Sequence, residues 1–172
     1  MKKVLFTLIA LMAVMTVQAQ SICASWRTIQ PVVATEEDGS LEIQTLMYTF
    51  NEDGTFSMAD ELTMSTPPAS TMAMEIATNI GIKGTYTLEG DQLTLTPDIN
   101  TYKAEMLSLS MDGKVTNNPM ITSQVKGMLN DSEFKAAFAE EQMFTVKVNG
   151  DMLEMNDGDE TLTLARFSTI NN

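Results

Sequence analysis

The sequence predicts an all-β fold carrying one short helical insert. Three observations support this. Short apolar runs alternate with polar residues at period two, Gly and acidic residues punctuate those runs as turns, and one stretch carries apolar residues at helical spacing. Many short strands joined by hairpin turns are the pattern of a barrel or a sandwich. At 172 residues the chain suits one domain.

The first nineteen residues read as a leader rather than as fold. Lys2 and Lys3 precede a mostly apolar stretch from Val4 to Val17, and Val17-Gln18-Ala19 offers a cleavage point after Ala19, leaving 20–172 as the domain. That stretch is too short to span a bilayer comfortably, and no later segment supplies the roughly twenty apolar residues a span needs. The expected location is therefore periplasmic or secreted. Lipidation of Cys23 is the competing possibility, but Gln20-Ser21-Ile22 lacks the Leu-then-small pattern that such a signal needs.

Cys23 to Ile29 reads as a first strand, followed by an irregular acidic loop through Pro31, Glu36-Glu37-Asp38 and Gly39. Leu41 to Phe50 is a long strand, and Asn51-Glu52-Asp53-Gly54 turns it back. The return strand places Phe56, Met58, Leu62 and Met64 on one face, with Asp60 interrupting the apolar series. Pro67-Pro68 interrupts the sheet. Met72 to Ile80 reads either as a short helix, from the spacing of Met72, Ile76 and Ile80, or as a loop covering one end of the fold. Lys83 to Leu88 and Gln92 to Thr96 form the clearest hairpin, which Pro97 is expected to end, and Thr101 to Met111 is a further strand. Asn118-Pro119 starts the helical region, where Ile121, Val125 and Leu129 recur, and Asn130 with Glu133 suggests a second cap before Phe134 and Phe138. Phe144 to Val148, Met152 to Met155 and Glu160 to Phe167 complete the strands.

Charge and residue types exclude several functions. The chain has 10 Lys plus Arg against 23 Asp plus Glu, a formal net charge of -13, which opposes nucleic-acid binding. It has no His, which removes histidine-based zinc sites, triads and proton relays, and its one Cys cannot form an internal disulfide. The acids near Asp151, Asp157, Asp159 and Glu160, and those at Glu36 to Asp38, fit solvated turns better than a calcium loop. Asp60 and Glu105 would have to meet across the fold to act as acid and base, and no motif brings them together. Ser25, Ser108 and Cys23 have no His partner. The expectation is a non-enzyme without metal or cofactor.

Ala24-Ser25-Trp26, Tyr48 to Phe56, Gly84 to Leu93 and the closing Leu162-Thr163-Leu164-Ala165-Arg166 together give an order that resembles the lipocalin-like domains of exported Bacteroidetes-type proteins. The resemblance covers most of residues 22 to 167, with Ala24 where a glycine is usual and with a helical insert around 118 to 141. It implies a lipocalin-like antiparallel β-barrel of about eight strands, with Trp26 closing one end beneath Arg166. It also implies a small apolar or amphipathic ligand inside the barrel, for which Met47, Phe56, Met58, Asp60, Met64, Tyr86 and Met106 are the candidate lining residues. The same side chains would equally fill a closed core, and the alternative function is then an envelope-associated protein-binding module without a small ligand. The acidity of the chain favours a monomer or dimer over a large assembly.

Overall fold

A computed structural model describes residues 22–36, 39–66 and 72–168. The strands are β1 (Ser25–Thr28), β2 (Val32–Glu36), β3 (Gly39–Phe50), β4 (Thr55–Ser65), β5 (Met74–Glu89), β6 (Gln92–Met111), β7 (Lys114–Val115), β8 (Gln142–Asn149), β9 (Met152–Asn156) and β10 (Thr161–Phe167). Two helices, α1 (Pro119–Leu129) and α2 (Ser132–Ala136), separate β7 from β8. All ten strands belong to one antiparallel sheet in the order β1-β10-β9-β8-β6-β5-β4-β3-β2, with β7 on β6 and an added pairing of β1 with β3.

This is not the eight-stranded lipocalin-like barrel expected from the sequence. The ring of hydrogen bonds exists at one end of the molecule and opens along two seams. At the first seam, β1 pairs with both β10 and β3, through Trp26 opposite Arg166 and Tyr48. Past Ile29-Gln30-Pro31 the chain continues along β3 as β2, where Val32 faces Ile43, while β10 pairs with β1 no further than Leu164 opposite Thr28. At the second seam, β8 pairs with β6 over Gln92 to Leu95 and then leaves it, whereas β6 runs on beside β5 to Met111. The far half is therefore an open sheet of β2, β3, β4, β5 and β6, with the helices laid over its apolar face.

Side-chain packing follows the two halves. In the ringed half, Trp26, Tyr48, Phe50, Phe56, Leu93, Leu95, Leu153, Met155 and Leu164 form one buried cluster together with Ile22. In the open half, Leu62, Ile80, Ile82 and Tyr102 pack with Phe134 and Phe138, and Ile76 and Leu109 pack with Val125 and Leu129 of α1. Apolar burial supplies the main driving force for both, at about 25 cal/mol per Å².

Local sequence explains the element ends. Gly54 has φ +80 in the turn between β3 and β4, a left-handed conformation that favours glycine, and Asp53 Oδ1 accepts from the Thr55 amide at 2.9 Å. Asn118 caps α1 by accepting from the Met120 amide at 3.0 Å, with Pro119 at the first helical position. The second cap is Asp131 rather than Asn130, accepting from the Glu133 amide at 2.8 Å.

Three other element readings are corrected. The segment Met72 to Ile80 is neither helix nor loop: Met74 begins β5. Its four-residue spacing is twice the strand period as well as one helical turn, so both structures satisfy it. Pro97 does not end β6 but lies opposite Gly84 inside it, just beyond the last β8 pairing at Leu95. An edge position of this kind tolerates the missing amide donor. The acidic loop contains β2, whose Val32, Val33 and Ala34 are exposed, so no apolar alternation marked it as a strand. The readings on residues 1–21, 37–38 and 67–71 lie outside the described residues.

Candidate functional site

The strand registers divide the residues of the long strands between two faces. Leu46, Asp60, Ile80 and Ala104 form one cross-strand row on the inner face, and Met47, Ala59, Gly81 and Lys103 form the adjoining row on the outer face. On the outer face, Arg27 extends the second row from β1 opposite Met47, and its guanidinium lies 4.6 Å from the Phe167 ring centroid.

A concavity lies along this outer row. It has a volume of about 790 Å³ and is lined from the outer face by Arg27, Met47, Ala59, Glu61, Asn79, Gly81, Lys103, Glu105 and Phe167, and also by Asp60, Ile80, Tyr102 and Ala104 of the inner face and by Asn130 at the end of α1. Ala59, Glu61, Asn79, Lys103 and Glu105 are exposed, so the concavity is a trough open to the surface, and buried Asp60, Ile80 and Tyr102 also border it. It sits at the level of two register shifts, at Ile43/Thr45 and Gly81/Lys83, where the ringed half flares into the open sheet. Ala59 and Gly81, lying opposite each other, keep its floor low.

The ligand-lining residues expected from the sequence are mostly core. Phe56 is buried, and Met58 and Tyr86 pack against the same cluster. Met64 and Met106 pack beneath α1 with Ile76 and Leu109. Met47 faces outward and lines the trough. Asp60 also borders the trough, although its side chain shares the inner face with Leu46 and Ile80. The expectation of a small apolar ligand held inside a barrel is therefore corrected: Phe56, Met58, Met64, Tyr86 and Met106 are occupied in packing within the core clusters, while Met47 and Asp60 border the trough.

Three polar groups within this packing stand out. Asp60 is 7% exposed and its Oδ1 has no hydrogen-bond partner. Burial raises its pKa to about 6. Tyr48, also buried, is pushed well above the ordinary tyrosine range, first by burial and then by the Asp60 charge. The Tyr86 hydroxyl donates to the Asn51 carbonyl at 2.8 Å and lies 3.3 Å from Cys23 Sγ. Glu105 is exposed on the opposite face from Asp60, so the two carboxylates do not form an acid-base pair.

Trp26 is fully buried, its indole N–H donates to the Ile22 carbonyl at 2.8 Å, and the Arg166 guanidinium lies 4.6 Å from its ring centroid. Arg166 also pairs with Asp151 at 3.3 Å. This stack seals the ringed end by packing and electrostatics. Among the described residues no group of three acidic or thiol side chains is arranged to hold a metal, and no helix is long and apolar enough to cross a membrane.

Sequence reasoning missed the trough residues Arg27, Ala59, Asn79, Gly81 and Lys103. Small residues on the polar face of a strand were its one available signal, and their alignment across β4 and β5 depends on register.

No family model matches the chain. No curated protein matches it either. Among solved structures, it is similar to an uncharacterized protein from Bacteroides eggerthii at 13% identity and a TM-score of 0.43, over 85% of this chain and 99% of that one. The lipocalin resemblance suggested by the short motifs is corrected accordingly: no family model supports it, and the two open seams depart from its barrel.

Proposed function

We propose that this chain is an exported, non-enzymatic protein-binding module that works through its outer surface. The observation that carries this reading is a surface-open trough of about 790 Å³ that runs along the outer row of the sheet, beside a core packed by its own side chains. The trough offers the mixed chemistry of a protein contact. Met47 and Phe167 supply apolar area, Arg27 and Lys103 positive charge, and Glu61 and Glu105 negative charge. Export rests on the basic and apolar Lys2 to Ala19 segment.

The test is site-specific photocrosslinking in the producing cells, with a benzophenone amino acid at Ala59 in the trough and, as control, at the exposed turn residue Asp159. A discrete protein adduct from position 59 and none from 159 is expected. A stoichiometric apolar molecule released on unfolding in native mass spectrometry, with no adduct from position 59, would overturn the reading.

A further inference from the structure

The seam between β1 and β2 exposes a length of main chain beside the trough. β1 has a hydrogen-bonded neighbour on each side, β3 and β10. β2 continues on the same side of β3 and has β3 as its one neighbour among the described residues. From Ile29 to Thr35 this edge carries no charged residue, and β2 ends in Glu36. Ile29 is 59% exposed, Val33 60% and Val32 39%. Strand edges are ordinarily blunted by lysines, inward charges or a covering element, because their unpaired amides and carbonyls template the addition of another strand. The other long edge shows such protection: beyond Pro97, β6 carries Asp98, Lys103 and Glu105, and both helices pack against it.

We propose that β2 is a docking edge at which an extended, basic segment of a partner protein adds as an antiparallel strand along Val32–Glu36. The proposal rests on the protein-binding reading above and assigns the main-chain grip. Strand addition provides hydrogen bonds through the backbone and takes specificity from alternate side chains. Electrostatics select the occupant. The chain carries -13, Glu42 lies opposite Val33 on the neighbouring strand, and β2 itself ends in Glu36. A second copy would bring two strongly acidic surfaces together, whereas a segment alternating Lys or Arg with β-branched residues meets a field of opposite sign.

The experiment uses two synthetic peptides of equal length, one alternating Lys with Val and the other Glu with Val, added to the isotopically labelled protein. The Lys-Val peptide is expected to slow amide exchange within Val32–Glu36 and to bind about tenfold or more tightly than the Glu-Val peptide. Val33→Lys, at an exposed position, should keep the fold and weaken Lys-Val binding by about tenfold. Absent binding, equal binding of the two peptides, protection confined to other strands, or a Val33→Lys protein that binds as well as the original would each overturn the proposal. So would concentration-dependent dimerisation abolished by Val33→Lys, which would assign the edge to a second copy. Crosslinks from position 59 read the trough independently, so failure at β2 and failure of the protein-binding reading are distinguishable.

Discussion

Asp60 concentrates the tension in this fold at a single residue. A carboxylate on the inner face of β4, with buried Leu46 and Ile80 on either side and one oxygen without a partner, is costly in its charged form. Its pKa, raised to about 6, lies above the unfolded value, so the native state binds the proton more tightly. Protonation therefore adds stability that is fully present below about pH 4 and is lost as the pH rises through about 6. Asp60→Asn removes this dependence. In paired urea titrations, the wild-type protein should lose about 2 kcal/mol relative to the variant between about pH 4 and about pH 7. Parallel pH profiles would refute the assignment. The sequence marked Asp60 as unusual because it broke an apolar alternation. Whether its carboxyl was buried or turned to solvent depends on what β3 and β5 place beside it, which no local pattern encodes.

At the scale of elements, the β5–β6 hairpin and the cap of α1 hold the two halves together. A Cβ at Gly84 would lie 2.7 Å from the Phe56 ring and 2.8 Å from Pro97 Cα and would also collide with the Thr96 carbonyl, where two backbone atoms cannot yield. Gly84→Ala should cost about 3 kcal/mol, measured by chemical denaturation. Tyr102 donates to the Leu129 carbonyl at 2.9 Å, tying the end of α1 to β6, and burial raises its pKa to about 12. Tyr102→Phe leaves that carbonyl without its donor and should cost about 1 to 2 kcal/mol by the same measurement. Most strands were legible because alternation and Asp-Gly or Asn-Gly turns are local signals. β2 was missed because both its faces are exposed, and the start of β5 because its spacing suits two periods. The prolines carried more information than was read from them. Pro97 lies within β6 where β8 leaves it, and Pro31 lies in the break between β1 and β2 just past the last pairing of β10, so each marks a seam.

At the scale of the molecule, those seams turn a ring into a flared sheet. The ringed half has hydrogen-bonded neighbours on both sides of each strand, while the far half depends on α1 and α2 for cover. Native-state hydrogen exchange should therefore grade along the molecule, with amides of β9 and the β1-facing part of β10 at least about tenfold more protected than those of β2 and α2. Uniform protection would contradict this division. Composition and alternation gave the all-β class and the single helical insert, but not closure, because two strands with identical face patterns can stay paired or diverge. The trough was illegible for the same reason, since it depends on where the divergence begins.

The indole of Trp26 takes its acceptor from Ile22, a residue wholly buried among the side chains it precedes. A peptide bond hydrolysed just after Ile22 would remove both the carbonyl and a plug of the ringed end, leaving a buried N–H unanswered and a void beside it. The architecture thus sets its own boundary on maturation: a protease that trims this chain and leaves a sound product must stop before it reaches Ile22.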